Sequence, residues 1–307
     1  MTKLKTWNKY SQLLPYVLAL LSLESQPLPL FSQSGAPLGP LEVLVRCNDI
    51  GMSHAVNMAF KEVAESGLSF SASVMVPCPW FSEAAELLKK YPNVSVGLHL
   101  TLNAEWREIR WGPVLGPEAV PSLVDSLGYF FGSRAALMGH KPNLEEVERE
   151  LRAQIRRALA AGLKPDYVDY HMGAAVGTPE LRAIVEKLAE EFGLGISRYF
   201  REQDAEGVYR ALPQFKTDTL VAIVNRLTPG SRYLLVFHVG QETSELDALT
   251  DLNTIGLADM SKHRNGERKA LLSKEFRDAL KLRKAILLKY GDLLRIDGTK
   301  GMRRPTP

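Results

Sequence analysis

Four residues that can bind a metal ion or transfer a proton each follow an apolar, strand-like run: Asp49, His99, His171 and His238. In a (β/α) barrel the carboxyl ends of the strands meet at one mouth, so we expect these side chains to share a cleft. One carboxylate and two imidazoles would form a three-ligand site with open positions, the pattern of a catalytic metal. Imidazole ligands favour Zn²⁺ or a similar first-row ion over Ca²⁺. For each histidine taken singly, the alternative is an ordinary hydrogen-bonded residue at a strand end.

The junction that carries Asn48 and Asp49 lies between a predicted strand and a predicted helix. Residues 41–45 form an apolar, β-branched run that predicts a buried strand, and apolar residues recur at helical spacing between residues 56 and 63. Gly67 is typical of the end of that helix. Polar residues at such junctions often build sites in α/β folds, although a lone Asp there is more often a helix cap.

Strand and helix patterns alternate along the rest of the chain, which predicts a mostly parallel sheet or barrel in one α/β domain. Further strands are predicted at residues 69–76, 93–102, 166–170, 196–200, 232–237 and 293–296. Helices are predicted at residues 81–91, 144–161, 179–192 and 274–290. Residues 103–141 show little periodicity, and a stretch of that length inside a compact domain is usually functional.

The composition is that of an ordinary globular protein, with 307 residues, of which 45% are hydrophobic and 24% charged. This length allows one large α/β domain or two small ones. The net charge is +3 and the charges are dispersed, so nothing predicts nucleic acid or an acidic polymer as a partner. Cys47 and Cys78 both end apolar runs, and we interpret them as structural thiols, while a disulfide between them stays open.

The N-terminal segment differs from the rest of the chain. Three lysines within the first nine residues precede an apolar run at 13–23, and a polar stretch ends near residues 32–36. This layout is typical of a secretory signal peptide, and the apolar run is too short to span a membrane. We expect a signal peptide and linker at 1–40, one functional domain at 41–300 and a tail at 301–307. The protein would then be secreted or periplasmic, or cytoplasmic if the segment is not cleaved or is a docking arm.

Four short motifs, in the same order along the chain, resemble those of the YdjC/ChbG-like carbohydrate deacetylases. Residues 46–53 (RCNDIGMS) resemble the NADDFGLS signature of that family, and residues 96–102 (VGLHLTL) its GxHLxL strand. Residues 167–171 (YVDYH) resemble its hxDSH segment, and residues 235–240 (LVFHVG) its HPG segment. The resemblance extends over about residues 41–296.

This resemblance implies a distorted (β/α) barrel of the polysaccharide-deacetylase type in a single domain. It also implies removal of acetyl groups from N-acetylated sugars such as chito-oligosaccharides, with a divalent metal, Zn²⁺ or alternatively Mg²⁺. Asp49, His99 and His171 would be the metal ligands. The expected partner is a small carbohydrate, with no stable membrane insertion, and a homodimer is a possibility left open.

The resemblance also implies roles for residues outside the ligand set. Position 48 would be the general base, and His238 would donate a proton to the leaving amine, although Val239 replaces the usual proline. Arg198 would orient the base or the substrate. Asp169 lies two residues before His171, so it points the same way along the strand and could hold a ligand or the base in place. A simple ion pair at the strand end is the alternative for Asp169.

The chain departs from the family at position 48, where Asn48 replaces an aspartate. An amide has no useful basicity near neutral pH, so Asn48 cannot be a general base. The substitution could be engineered to trap substrate, natural with another base such as Asp169, or the mark of a protein that binds sugar without cleaving it. We favour the first interpretation because the rest of the constellation is intact.

Aromatic residues in the long segment could contact the sugar. We expect Trp106 or Trp111 to line the cleft, because aromatic faces stack on sugar rings, although aromatic loop residues are also commonly core. Met172, next to His171, is expected to contact substrate as well. Three functions therefore compete: a metal-dependent sugar deacetylase, a non-catalytic carbohydrate-binding protein on the same scaffold, and a hydrolase of another amide or ester.

Overall fold

A computed structural model describes residues 39–254 and 256–305. The expected signal peptide and linker, residues 1–40, lie outside the described residues except for Gly39 and Pro40. The last two residues of the expected tail also lie outside them. From residue 39 onwards, the described residues form one compact unit.

A curled sheet of parallel strands organises the described part of the chain. Its strands are β1 (Glu42–Ile50), β2 (Ser71–Val74), β3 (Ser95–Leu100), β4 (Tyr167–Tyr170), β5 (Gly195–Ile196), β6 (Gln203–Asp204), β7 (Arg232–Phe237) and β8 (Ile286–Leu288). The strand order is β5-β4-β3-β2-β1-β7-β6, and these strands pair in parallel throughout. β8 pairs with the first residues of β1, ahead of the point where β2 joins it. This irregular, uneven sheet confirms the expected distorted (β/α) barrel.

Helices connect the strands and cover the sheet. In the part of the chain that the structure describes they are α1 (His54–Glu65), α2 (Phe81–Lys90), α3 (Arg134–Gly139), α4 (Leu144–Ala160), α5 (Pro179–Phe192), α6 (Lys216–Arg226), α7 (Ser244–Asp247), α8 (Met260–Leu272), α9 (Lys274–Leu282) and α10 (Tyr290–Asp297). None of these described helices is long and apolar enough to cross a membrane.

Local sequence signals explain where several elements begin and end. Eight of the nine residues of β1 are buried, as expected for a central parallel strand with helices on its faces. The Ser53 hydroxyl accepts a hydrogen bond from the Val56 amide and caps α1. Thr178 caps α5 in the same way, with Pro179 at its first position, and Gly193 ends the helix in a left-handed conformation.

The sequence-based boundaries hold best in the middle of the chain. The strand at 232–237 and the helix at 179–192 are confirmed without change, and the helices at 81–91 and 144–161 are each one residue shorter. The short strand expected at 196–200 is confirmed only in part, because Gly195–Ile196 turns immediately afterwards.

Two expectations near the C-terminus are wrong. The single helix at 274–290 is in fact α9 followed by β8, and residues 293–296 belong to α10 rather than to a strand. The apolar residues of β8 also fit the helical period of the residues before them. Only their pairing with β1 shows that they form a strand and not a helix. Helices α6 and α8 were not anticipated.

Both cysteines are buried free thiols, in agreement with a structural role. Burial raises the pKa of the Cys47 thiol and that of the Cys78 thiol.

Candidate metal centre and its cleft

Asp49, His99 and His171 come together at the carboxyl ends of β1, β3 and β4. Asp49 Oδ1 lies 3.4 Å from His99 Nε2 and 3.5 Å from His171 Nδ1, and the three ligand atoms are within 4.8 Å of one another. Zinc bonds of about 2.0–2.1 Å place neighbouring tetrahedral donors roughly 3.3 Å apart, close to both measured distances. Asp49 Oδ1 is buried and has no hydrogen-bond partner among the described residues, as expected for a ligand atom reserved for a cation. The residues therefore fit a divalent metal.

Each of the three candidate ligands is held from behind by a charged side chain. His99 Nδ1 is 2.7 Å from Asp169 Oδ1, and His171 Nε2 is 2.8 Å from Glu105 Oε2. A carboxylate that accepts the proton of one ring nitrogen leaves the other nitrogen free for a metal. Arg264 Nη2 donates to Asp49 Oδ2 at 2.6 Å and leaves Oδ1 facing the histidines.

Charges around the ligands shift their protonation. Burial alone would raise the pKa of Asp49, but Arg264 and the two histidines hold it well below its usual value. Burial alone would lower the pKa of His171, but Glu105 and Asp49 outweigh burial and raise the pKa to about 10. A cation that binds here therefore meets an ionised Asp49 and competes with a proton on His171.

The backbone is strained where these strands end. Asp49, Met172 and Arg198 have φ values of 63°, 48° and 70°, in the left-handed region that side chains with a Cβ rarely adopt. Each such residue costs on the order of 1–3 kcal/mol, and such strain concentrates at functional sites. One of these strained residues, Asp49, carries the carboxylate that lies within 3.5 Å of both histidines.

Asn48 lies beside the ligands, and its orientation is fixed by Arg46. Arg46 Nε donates to Asn48 Oδ1 at 2.9 Å. Because a guanidinium can only donate, the amide oxygen must face Arg46 and the NH₂ group must face away from it. The side chain at position 48 therefore offers a donor in the direction where a general base would offer an acceptor.

Both carboxylate oxygens of Asp169 bind neighbouring side chains. Its Oδ1 is bonded to His99, and its Oδ2 accepts from Ser73 at 3.1 Å and lies 3.1 Å from Arg46 Nε. The residue is fully buried, and His99 and Arg46 outweigh burial to lower its pKa. The geometry thus places Asp169 behind His99, fully buried and outside the lining of the cleft.

A cleft of about 720 Å³ opens beside this centre. Asn48, Met172, Arg198 and His238, four of the residues expected at the site, line it. His238 is 24% exposed there, and burial lowers the pKa of its imidazole. The cleft is of a size that holds a small organic ligand.

Two sequence-based expectations need correction. Trp106 and Trp111 do not line the cleft, because each is only 2% exposed and offers no face to a sugar. Trp111 instead packs at 6.1 Å against the His171 ring, and Trp106 lies 6.0 Å from the Arg264 guanidinium.

Arg198 lines the cleft but does not contact position 48. Its guanidinium pairs with Asp204 at 2.8 Å, and Arg46 is the arginine that bonds Asn48. Arg46 is the first residue of the motif at 46–53, two residues before Asn48, and this position is the sequence signal that could have identified it as a site residue. Glu105 and Arg264 lie in a loop and a helix and have no comparable motif.

Comparison with known proteins gives a consistent family assignment. A model of the YdjC-like protein family matches residues 42–282. A carbohydrate deacetylase of Enterococcus faecalis is 28% identical over 82% of this chain and 98% of its own length. One of Brevibacillus brevis is 38% identical over 50% of this chain and 57% of its own length. A crystal structure described as a cellobiose-phosphate cleavage protein of Enterococcus faecalis superposes with a TM-score of 0.70 at 24% identity, over 83% of this chain and 99% of that one. The chain belongs to the YdjC-like protein family.

Proposed function

We propose that this chain is built as a metal-dependent hydrolase that removes the acetyl group from an N-acetylated sugar. The observation that carries the proposal is the triad of Asp49, His99 and His171, each held by a charged side chain, beside a cleft of sugar size. Relatives named carbohydrate deacetylases, one of them matched over almost its full length, support the same reaction.

The reaction adds water to the acetyl carbon and breaks the carbon–nitrogen bond, so that acetate and a free amino sugar leave. A divalent ion held by the three ligands, with Zn²⁺ favoured by the two imidazoles, would supply Lewis acidity towards the carbonyl oxygen and the attacking water. His238, exposed in the cleft, would donate a proton to the departing nitrogen. Asn48 presents N–H groups that can hold the acetyl oxygen but cannot take the proton of water.

Because Asn48 cannot take a proton from water, a second candidate function is a carbohydrate-binding protein on the same scaffold. The Asn48 amide is not basic, and Asp169 is fully buried behind His99 and outside the cleft lining, which argues against either residue as the base. We therefore expect binding of an N-acetylated sugar in the present chain and hydrolysis that is slow or absent.

The substitution Asn48→Asp separates the two functions. An aspartate here would lie beside Arg46 and a cation, both of which keep it ionised and able to accept a proton. We expect Asn48→Asp to raise acetate release from di-N-acetylchitobiose or longer chito-oligosaccharides by at least ~10²-fold, with little change in affinity. Acetate and free amine are measured for both forms with saturating Zn²⁺ or Mg²⁺.

A matched control is Asn225→Asp, which adds the same charge on α6, away from the metal centre. It should leave the rate unchanged. Equal activity of the unsubstituted and Asn48→Asp chains would mean that position 48 is not the base. Equal inactivity on every acetylated sugar tried would favour the binding protein.

A further inference from the structure

A fully buried lysine lies behind the cleft and is not explained by the metal centre. Lys216, the first residue of α6, directs its ammonium at three acceptors: the carbonyl oxygens of Val208 and Tyr209, both at 2.9 Å, and Glu267 Oε1 at 3.1 Å. An ammonium has three N–H groups, so every donor of Lys216 is used. Val208 and Tyr209 both line the cleft, so Lys216 ties one wall of the cleft to Glu267 on α8.

Glu267 in turn contacts His238, the proposed proton donor. The second oxygen, Glu267 Oε2, accepts the His238 backbone N–H at 2.6 Å and lies 3.9 Å from His238 Nδ1. Nδ1 has no hydrogen-bond partner among the described residues, so the carboxylate is the group poised to bind it after a small shift. Tyr209 packs edge-on against the imidazole, with ring centroids 5.4 Å apart. The ion pair therefore reaches His238 through Glu267 and through Tyr209.

A contribution to stability does not by itself explain why the Lys216–Glu267 ion pair is buried here. Replacing a buried ion pair with apolar residues of similar volume is often neutral or stabilising, because removing two charges from water costs nearly as much as their attraction returns. The pair is, however, a rigid link between two chain segments, and misplacing a reacting group by about 1 Å can cost ~10²-fold in rate.

We propose that the Lys216–Glu267 ion pair is a positioning device that sets the place and the ring orientation of His238 in the cleft. Lys216 anchors Glu267 and the wall at Val208–Tyr209, and Glu267 anchors His238 directly. Both are positioning residues, since neither is placed at the reacting atoms. The proposal rests on the proposed function only for the role of His238 in proton transfer, whereas the placement of its ring can be tested without turnover.

The test compares Lys216→Met, Glu267→Gln and the double variant of the full chain. The His238 imidazole signals, assigned with His238→Gln, are followed by ¹⁵N NMR as a function of pH. We expect all three variants to change the tautomer or the titration of His238, with metal content unchanged. On the Asn48→Asp background, kcat should fall by about 10–10²-fold. A merely structural pair would leave the imidazole signals of a folded Lys216→Met variant, which keeps the Glu267 carboxylate, as they are, and would leave the His238 tautomer unchanged in all three variants.

The matched control is Arg232→Met, which breaks partly buried ion pairs with Glu42 and Asp297 and a bond to the Phe200 carbonyl at the opposite end of the sheet. It should lower stability without moving the His238 signals. If Lys216→Met does not fold, the double variant decides, because it leaves no unpaired buried charge. In the unsubstituted chain, the His238 backbone amide should also exchange slowly and resonate downfield, owing to its short bond to a carboxylate.

Unchanged His238 signals in a folded Lys216→Met or double variant would overturn the proposal, and so would a rapidly exchanging His238 amide. If the Asn48→Asp chain hydrolyses no acetylated sugar, the deacetylase function fails, while the NMR comparison still decides whether the pair positions His238.

Discussion

At the scale of single residues, position 48 shows how little a side chain must change to alter the chemistry of a site. Aspartate and asparagine have nearly the same shape, and Arg46 would bind an oxygen of either one. With aspartate the second oxygen accepts a proton, and with asparagine the NH₂ group donates one. Binding of an acetyl group can therefore survive a substitution that removes the step in which water is activated.

Metal binding should depend on the three ligands and, more weakly, on the carboxylate behind one of them. Purified protein should carry about one divalent ion per chain, and His99→Ala or His171→Ala should empty the site. Glu105→Gln keeps all three ligands but weakens the hold on His171, so it should reduce metal affinity by ~10–100-fold. Affinity is measured by competition with a chelator, and metal content by elemental analysis.

The control for Glu105→Gln is Glu146→Gln, which loses a carboxylate that bonds Ser122, away from the centre. Its metal affinity should match that of the unsubstituted chain. Full metal occupancy in both histidine variants would show that these residues are not the ligands.

His238 should affect turnover and not metal content. The residue lies in the cleft and is not one of the three converging ligands. On the Asn48→Asp background, His238→Ala should lower kcat by about 10²–10⁴-fold, the usual range for loss of a general acid. Elemental analysis of the same samples should show unchanged metal, and loss of metal would instead make His238 a ligand.

At the scale of elements, close packing behind the ligand strands restricts which residues can stand there. Gly97 in β3 faces the ring of Tyr167 in β4, and an added methyl group would overlap that ring. Tyr167 cannot yield easily, because it is fully buried, bonded to Ser73 and packed on Tyr290 at 4.1 Å. The spacing between β3 and β4, which carry His99 and His171, thus depends on a glycine.

We expect Gly97→Ala to destabilise the protein by about 1–3 kcal/mol, the usual cost of overpacking a core. Gly139→Ala is the matched control, because Gly139 ends α3 and nothing lies within 4 Å of the added Cβ. That change should be neutral or stabilise by up to about 1 kcal/mol. Urea unfolding of both variants measures the difference, and equal stabilities would contradict the packing argument.

The sequence predicts the elements that carry the proposed metal ligands well, because an apolar run precedes each of Asp49, His99 and His171. It does not reveal α8, whose buried face includes His263, Arg264, Asn265 and Glu267. Periodicity methods treat such polar residues as a solvent-facing side, and only the fold brings Arg264 to Asp49. The prediction that Trp106 or Trp111 lines the cleft is wrong for a related reason. A tryptophan in a long loop gives the same sequence signal whether its side chain packs in the core or lines a cleft.

At the scale of the whole molecule, the N-terminal 40 residues are proposed to direct export. Mature protein from the native host should begin between about residues 32 and 41, after a small residue typical of signal cleavage. Mass spectrometry of the N-terminal peptide checks this expectation. Intact Met1 on protein from the cytoplasm would refute it and favour a docking arm.

One pairing in the sheet bears on how the chain is synthesised. The first strand, β1, carries Asp49, yet its opening residues pair with β8, and Tyr290 just beyond β8 bonds Ser197, whose hydroxyl also accepts from Arg46. A nascent chain therefore cannot complete the pairing of β1, or the bond that supports Ser197 beneath Arg46, until residues 286–290 have left the ribosome. Until then the first residues of a buried strand have an unpaired edge, which is open to chaperones and to wrong partners. Stalled or truncated products that end before β8 should consequently be inactive and prone to aggregate, even though they contain all three proposed metal ligands.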